Sequence, residues 1–430
     1  MIVSDSVSTS FRTQSSRSWH GASVPFNALE TRNWDLFAAL ACFIHSDPCA
    51  ALRNSLQALT GRQHVVLTPS GRSAIAQLLA LLPQREVVMP AWICHEVKRA
   101  AEIAGKRVIY VDLGSNSINA TSAEYLEAAK PGRILLIAHL FGAPTDVEAI
   151  CELAKKRDCV TVEDAVPAFG ARRNGHLLGT FADFGIFGFE QGKRFPAFRG
   201  GVIVVNNNHI INLTKLAASR VVETKRVMPI GDLLRAFAHN LATSPWIYQG
   251  LILPLLPFRE SLSKLLNKSH SQPGAECLDK LAAVLHTPAY TRELHPYQAE
   301  LVLRMLKRID QIRRQIASLA SVYLEGFRNT PIASFVPPEC DNAGLMRFPI
   351  SFPGKDRTEI LRRAEKRGLY LKVYWPQPLP DKSEHHRFPN AVWAAQNIVL
   401  LPLYRTLSPR DAEEVAQTIV EIESTVPLSR

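Results

Sequence analysis

The sequence predicts an α/β protein built around a mainly parallel β-sheet, and three observations support this. Between residues 64 and 205, short β-prone runs alternate with stretches of helical periodicity. Most of these runs are apolar, as expected for strands that are covered on both faces. The chain has 430 residues, of which 47% are hydrophobic, so it can bury a sizeable core in two or three domains. Strands that alternate with helices are typical of parallel sheets.

Seven runs are the predicted strands of this sheet, and amphipathic stretches between them are the predicted covering helices. Two such stretches are Ser73–Leu82 and Asp146–Lys156, in which apolar residues recur with helical spacing. The predicted strands are His64–Thr68, Glu86–Met89, Arg107–Val111, Arg133–Ala138, Cys159–Val162, Phe184–Phe187 and Gly201–Val205.

The last third of the chain predicts a long helix followed by a small α/β domain. The helix runs from Pro296, a residue suited to the first helical position, to Phe327. Two apolar runs, Leu345–Phe352 and Leu369–Trp375, flank a predicted helix at Arg357–Arg367, and a final helix follows at Pro409–Ser424. The apolar stripe of the long helix consists of Leu301, Met305, Ile309, Ile312, Ile316, Leu319 and Tyr323.

These elements predict four parts of the chain. Residues 1–30 are a disordered, serine-rich leader, with a transit peptide as the alternative, and residues 31–295 are the large domain. Residues 296–330 are a linking helix, and residues 331–430 are the small C-terminal α/β domain. An inserted region at about 208–285 contains PWIYQGLILPLLP, which is too short to span a bilayer. It either packs against the protein or a subunit partner, or makes weak contact with a membrane surface.

Charge and cysteine content narrow the classes of partner and compartment. The formal net charge of +11 favours anionic partners, but no dense Lys/Arg run with interleaved aromatic residues indicates nucleic-acid binding. The seven cysteines are scattered and form no CxxC pair, so neither a zinc site nor a disulfide framework is expected. Free thiols and the lack of an apolar signal-peptide core predict a cytoplasmic protein without a bound metal.

Three segments contain residues suited to one kind of chemistry. Asp164 ends a β-prone run, and ligands of α/β sheets gather beyond the carboxyl ends of strands. Lys193 follows another such run, 29 residues later, in a loop where a partly desolvated lysine could attack an aldehyde. At Ser70–Ser73 a capped helix begins, and its free amides could bind an anion, helped by Arg72. Each alone is more often a helix cap or a solvated side chain.

In this order the three segments resemble those of the DegT/DnrJ/StrS sugar aminotransferases. These enzymes bind pyridoxal 5'-phosphate (PLP) and have the aspartate-aminotransferase fold, called fold type I. The resemblance covers about Val65 to Ile422, apart from 208–285. It rests on SGRSAI at 70–75, PAWIC at 90–94, VDL at 111–113, AHLFGAPTD at 138–146, VEDAVPAFGA at 162–171, GTFADFGIFGFEQGK at 179–193, GG at 200–201 and NIVLLPLYRTLS at 397–408.

The resemblance implies a role for individual residues. Lys193 would form the Schiff base with PLP and act as base and acid, and Asp164 would pair with the pyridine nitrogen. Trp92 or Cys94 would lie over the cofactor ring, and Trp92 is the better stacker. The phosphate-binding turn falls on Gly71, Arg72 and Ser73.

Four positions depart from the family pattern. Pro167 stands where the family often has Gln, Phe169 where it has His, and Gly188 where a Ser hydroxyl reaches the phosphate. The family's Asn-Tyr-Arg segment, which reaches the partner subunit's phosphate, reads Tyr290-Thr291-Arg292. Arg72 and Gln191 are the candidates to replace the lost contacts.

The expected function is transfer of an amino group from glutamate to a keto group of a nucleotide-linked sugar, by a homodimer. Such a reaction belongs to polysaccharide or glycoconjugate biosynthesis. Two alternatives remain open. The first is a PLP enzyme acting on a different or membrane-proximal substrate. The second is a catalytically impaired family member that serves as a binding subunit.

Overall fold

The computed structural model describes residues 24–26, 28, 30–43, 47–207, 230–255, 285, 287, 290, 292–336 and 344–428. Most of the predicted leader at 1–30 and of the region at 208–285 therefore lies outside the described residues. Within the described part of the chain, no helix is long and apolar enough to cross a membrane. Five cysteines there form no disulfide: Cys42, Cys49, Cys94, Cys151 and Cys159.

Seven strands form one twisted sheet, which confirms the predicted α/β fold class and the fold type I architecture. The strands are β1 (His64–Thr68), β2 (Glu86–Pro90), β3 (Arg107–Val111), β4 (Arg133–Ala138), β5 (Val160–Asp164), β8 (Phe184–Gly188) and β9 (Gly201–Val205). Their spatial order is β1-β9-β8-β5-β4-β2-β3, and only β9 runs antiparallel to its neighbours. A two-stranded ribbon, β6 (Arg172–Arg173) and β7 (His176–Leu177), lies between β5 and β8 in the chain.

The central strands are buried because helices pack against the sheet. All five residues of β5, β8 and β9 are buried, as the apolar runs predict. The helices of this part are α1 (Asn33–Ala38), α2 (Pro48–Thr60), α3 (Gly71–Leu81), α4 (His95–Ile103), α5 (Ser122–Tyr125) and α6 (Val147–Lys156). Among them, α3 contacts β1, β8 and β9, so its first turn lies at the edge where these strands meet.

Two further helical segments belong to the region that the sequence marks as an insertion. Helix α7 (Ile230–Ala242) contacts α1, and three short pieces follow it at Pro245–Ile247, Tyr248–Ile252 and Leu253–Leu255. The side chain of Tyr248 is buried, whereas Trp246 is 69% exposed. The described part of the apolar stretch is therefore only partly covered by this chain.

The predicted long helix from Pro296 to Phe327 is two helices, α8 (Pro296–Leu306) and α9 (Ile309–Phe327). The break follows from Arg308, whose amide donates to the carbonyl of Met305 instead of continuing the helical pattern. Its guanidinium Nη2 lies 2.6 Å from Oδ2 of Asp35. No proline or glycine marks this break, so local sequence could not reveal it. The predicted apolar stripe is nevertheless buried along most of both helices.

A three-stranded antiparallel sheet forms the C-terminal part, in the order β10 (Ala333–Ser334), β11 (Phe348–Ser351) and β12 (Val399–Leu401). The run Leu369–Trp375 is not a strand, because only Lys372 pairs with the sheet, at Leu400. The third strand is β12 instead. Helices α10 (Arg357–Lys366), α11 (Pro389–Asn397) and α12 (Pro409–Thr425) complete this part, and α12 packs on α9.

Candidate active site

The candidate residues lie around one edge of the large sheet. Strands β1, β5 and β8 run in the same direction, so their carboxyl ends meet at this edge. Asp164 is the last residue of β5, two residues beyond the predicted end of that strand. Gly188 ends β8 and pairs with Gly201, which also pairs with Thr68 of β1. Parallel strand order therefore places the loop containing Lys193 beside Asp164 and the start of α3.

Three ionisable groups lie within electrostatic range of the Lys193 side chain. Burial raises the pKa of Asp164, of Glu190 and of the Cys94 thiol, because each charged form loses contact with water. In all three cases the positive charge of Lys193 is the largest opposing influence. These groups come from β5, from the loop after β8 and from the residue before α4. Lys193 is thus the shared cation of a partly desolvated cluster.

The Asp164 carboxylate is held at the end of β5 by the following turn. Its Oδ1 atom accepts a hydrogen bond from the amide of Val166 at 3.1 Å. The side chain of His139 also lowers the Asp164 pKa, by a smaller amount than Lys193 does. A buried carboxylate beside a lysine is suited to hold a positive charge on a bound ligand.

Helix α3 begins with a reciprocal cap. The hydroxyl of Ser70 accepts from the Ser73 amide at 3.1 Å, and the Ser70 amide donates to the Ser73 hydroxyl at 3.0 Å. This arrangement uses the Ser73 side chain within the turn. The Gly71 amide, by contrast, points away from the cap and remains available to an acceptor from elsewhere.

That acceptor is the carboxylate of Glu190. The distance from the Gly71 nitrogen to Oε1 of Glu190 is 2.5 Å. The second oxygen, Oε2, is shielded from solvent and has no hydrogen-bond partner among the described residues, although other atoms of the side chain reach solvent. A helix start attracts anions through its free amides and its dipole. An anion from the protein itself therefore occupies this position.

Glycine at position 188 leaves room for this carboxylate. A Cβ atom added to Gly188 would lie 2.6 Å from Oε2 of Glu190 and 2.8 Å from Cγ1 of Val166. A Cβ atom on Gly71 would lie 3.2 Å from Oε1 of Glu190. A serine at position 188 would therefore collide with the Glu190 carboxylate, so glycine at 188 and Glu190 in its observed position go together.

The other predicted phosphate contacts have different partners in this chain. Arg72 Nη1 lies 2.7 Å from Oε2 of Glu96, and the Tyr290 side chain hydrogen-bonds to Arg72. The carbonyl of Tyr290 accepts from the side-chain amide of Gln77. Gln191 is exposed in the loop before Lys193. The structure therefore brings Gly71, Asp164, Lys193 and Glu190 together, with Arg72 and Tyr290 one layer further out.

The two candidates for the ring position differ in their surroundings. Trp92 is 1% exposed and donates its indole N–H to the carbonyl of Trp375 at 2.9 Å. Its ring makes edge contacts with Phe141 and Trp375. Cys94 is partly exposed and lies within electrostatic range of Lys193 and Asp164. The geometry favours Cys94 as the neighbour of Lys193.

Sequence reasoning missed a buried hydrogen-bonded pair beside Asp164, formed by His139 and Glu163. Nε2 of His139 lies 2.9 Å from Oε1 of Glu163, and both side chains are fully buried. His139 Nδ1 accepts from the Thr145 amide, so Nε2 carries the proton. The same carboxylate accepts from the amides of Gly179 and Phe181. The pair links the ends of β4 and β5 where these strands approach the site. In the sequence, only the VEDAV motif, which contains Glu163, pointed to it.

Phe169, at the position where the family often has His, belongs to an apolar cluster. Its ring makes edge contacts with Phe187, Phe189 and Phe195, at centroid distances of 4.8, 5.4 and 5.0 Å. Such edge-to-face contacts favour apolar rings over an imidazole that needs hydrogen-bond partners. Phenylalanine at position 169 thus suits the apolar packing beneath the loop between β8 and β9, which contains Lys193 and is called the lysine loop below.

The lysine loop is anchored by the residue that follows Lys193. Arg194 is buried, and its Nη1 lies 2.9 Å from Oε1 of Glu30, which is also buried. The guanidinium also donates to the carbonyls of Leu345 and Leu403, in the segments that flank the small sheet. Burial lowers the pKa of Arg194 to about 10. Lys193 is thereby fixed between the two sheets.

A model of the DegT/DnrJ/EryC1/StrS aminotransferase family matches residues 41–230 and 267–420. Three solved structures share the fold. PseC of Helicobacter pylori, an aminotransferase involved in the biosynthesis of pseudoaminic acid, is 16% identical, with a TM-score of 0.67 and coverage of 95% of this chain and 100% of PseC. NtdA of Bacillus subtilis, with bound pyridoxamine phosphate, is 19% identical, with a TM-score of 0.69 and coverage of 94% and 86%.

DesV of S. venezuelae, in complex with a ketimine intermediate, is 20% identical, with a TM-score of 0.66 and coverage of 92% of this chain and 95% of DesV. The family match spans most of the sequence, including the segments that form the site. The chain belongs to the DegT/DnrJ/EryC1/StrS family of PLP-dependent aminotransferases.

Proposed function

We propose that this protein carries PLP on Lys193 and transfers an amino group from glutamate to a keto group of a nucleotide-linked sugar. The observation that supports this most strongly is the meeting of Lys193 and the buried Asp164 at the carboxyl edge of the sheet. A lysine beside a carboxylate is what capture of an aldehyde cofactor with a basic ring requires. The product would serve polysaccharide or glycoconjugate biosynthesis.

The residues present fit PLP at three points. Asp164 is a buried carboxylate, as pairing with a protonated ring nitrogen requires. Lys193 is held between carboxylates at the end of the sheet, and Cys94 offers a small side chain beside it. The start of α3 is an anion site, although Glu190 uses its Gly71 amide in the structure described here. Gly71 and Ser73 together with Arg72 are the proposed phosphate ligands.

PLP would supply an aldehyde that captures amines and a ring that withdraws electrons from the neighbouring carbon. The residues of this chain would do the rest. Asp164 would hold a proton on the ring nitrogen, because its buried negative charge is stabilised by that cation. Lys193 would remove and return a proton at the substrate carbon. Arg194 and Glu30 would keep the lysine loop in place.

The sugar substrate is supported by family membership and by the likeness to PseC, which is described as an aminotransferase involved in the biosynthesis of pseudoaminic acid. Two alternatives have specific support. The exposed Trp246 and its apolar neighbours favour a substrate or partner of a different, membrane-proximal kind. Glu190 at the anion site favours the catalytically impaired family member that serves as a binding subunit.

The experiment is a two-step half-reaction assay on the PLP-loaded protein. Glutamate should convert the visible absorbance of lysine-bound PLP to that of pyridoxamine phosphate, and a keto-sugar nucleotide should restore it. The Lys193→Ala variant should do neither. Conversion by glutamate without restoration by any keto-sugar nucleotide would favour the different-substrate alternative. No conversion in a protein that binds PLP would favour the catalytically impaired alternative.

A further inference from the structure

The carboxylate of Glu190 lies at the start of α3, where we propose that the phosphate of PLP binds. We propose that Glu190 occupies the phosphate position in the cofactor-free protein, so that its negative charge must leave the start of α3 before the phosphate of PLP can bind. This inference rests on the proposed function and adds a residue that controls cofactor affinity. Glu190 is therefore a competitor of the cofactor phosphate.

The hydrogen bonding at the start of α3 supports the proposal that Glu190 competes with the phosphate. The Gly71 amide can serve one strong acceptor, and Oε1 of Glu190 takes it at 2.5 Å. The other oxygen, Oε2, is buried without a partner among the described residues. Leaving a buried carboxylate oxygen unpaired costs free energy, which a protein tolerates when another requirement outweighs it. The Glu190 carboxylate is therefore held at this helix start through only one of its two oxygens by the described residues.

The close packing around the Glu190 carboxylate also supports the proposal. Gly188 and Val166 border the carboxylate so closely that even a single methyl group at 188 would overlap Oε2. A phosphate that reached the Gly71 amide would meet the same atoms. The carboxylate and the phosphate therefore cannot both use this amide, and the Glu190 side chain has to turn away or lose its charge.

The charges of the groups that face Glu190 also support competition between this side chain and the phosphate. Lys193 on the same loop is the attractive charge, and Asp164 on β5 is a repulsive one. Arg72, the next residue after Gly71, is already paired with Glu96. A phosphate dianion beside an ionised Glu190 would therefore add strong repulsion at one helix start. Burial raises the pKa of Glu190, so its neutral form is accessible, and phosphate binding should be accompanied by proton uptake.

The test compares PLP with pyridoxal, which lacks the phosphate but reacts with the same lysine. Cofactor-free wild type, Glu190→Gln and Glu359→Gln are titrated with each compound between about pH 7 and 9, where the phosphate is fully ionised. The readout is the visible absorbance of the lysine-bound compound. The ratio of the two dissociation constants cancels effects of pH on Lys193 and isolates the phosphate contribution. Glu359 lies on α10 and controls for the change in net charge.

In the wild type, the preference for PLP over pyridoxal should fall as the pH rises, by up to about tenfold per pH unit. In Glu190→Gln the preference should be about tenfold or more higher at pH 8 and nearly independent of pH. Glu359→Gln should behave like the wild type. Glutamine keeps an oxygen for the Gly71 amide, so the variant should fold, and thermal unfolding with Glu190→Ala as a second variant checks this.

An equal or lower preference for PLP in Glu190→Gln at every pH would overturn the inference while leaving the proposed function intact. PLP binding by the variant alone would support the inference. If neither protein gains visible absorbance with PLP, the proposed function itself is wrong and the inference falls with it.

Discussion

At the scale of single residues, the balance of charge around Lys193 decides how the site behaves. Two carboxylates, the buried Asp164 and the half-buried Glu190, face one lysine, and burial raises the pKa of both. An acid whose pKa is higher in the folded than in the unfolded state binds more protons when folded. Its contribution to stability is therefore lost as the pH rises from the unfolded pKa through the folded pKa. The cofactor-free site should accordingly destabilise the fold at neutral pH.

Asp164→Asn tests this cost directly. The variant removes a buried charge but keeps an oxygen for the Val166 amide. In the cofactor-free protein it should raise the melting temperature by roughly 1–3 °C at pH 8, and the gain should disappear near pH 4. Asp310→Asn, at a side chain that is 71% exposed, is the matched control and should show no such pattern. A variant that is less stable than wild type at pH 8 would contradict the account.

The main candidates at this scale were predictable, and one neighbour was not. Lys193 and Asp164 follow β-prone runs, and a strand end is visible in the local sequence. Glu190 meets Gly71, which is 119 positions away along the chain. That contact depends on β1 and β8 flanking β9, and no local pattern encodes the strand order. The hydrogen bond between His139 and Glu163 was missed for the same reason.

At the scale of elements, strands were easier to predict than interruptions of helices. Four of the seven strands of the large sheet, β1, β3, β4 and β9, have the predicted bounds, because β-branched runs bounded by polar or glycine residues mark both ends. The break between α8 and α9 lies at Arg308, whose guanidinium makes a tertiary contact with Asp35 that no local pattern encodes. Strand β12 has only three residues and pairs with β11, so its run alone did not identify it.

The loop between β8 and β9 gives a second prediction, through the buried pair of Arg194 and Glu30. Arg194→Met should lower the free energy of unfolding by about 3–5 kcal/mol, because it leaves the Glu30 charge buried without its partner. Urea unfolding measures this.

The double variant Arg194→Met/Glu30→Gln is the control, and it should recover a large part of the loss, because neither charge then remains. Additive losses in the double variant would show that the two side chains do not stabilise each other.

At the scale of the whole molecule, the two sheets are joined at the site. Arg194 reaches from the lysine loop to carbonyls beside the small sheet, and Trp92 bonds to the carbonyl of Trp375. The division into a large domain, a linking helix and a small domain remains a prediction, as does the homodimer. The exposed Arg292 is the proposed contact with the partner's phosphate.

Subunit complementation tests the dimer and Arg292 together. Lys193→Ala and Arg292→Ala should each be inactive as pure dimers. When the two are mixed as randomly assembled dimers, activity should return to about one quarter of wild type, because half the dimers then contain one intact site. Sedimentation of each variant establishes that dimers form. No recovery in such mixed dimers would mean that Arg292 does not act across the interface.

The central claim is that Lys193 holds the cofactor, and one measurement addresses it directly. The protein is incubated with PLP, reduced with borohydride to make the lysine–cofactor bond permanent, and digested for mass spectrometry. We expect the wild-type peptide containing Lys193 to carry the phosphopyridoxyl group. In Lys193→Ala, no lysine should carry this group in a stoichiometric amount. Modification at a different lysine, or none in the wild type, would contradict it.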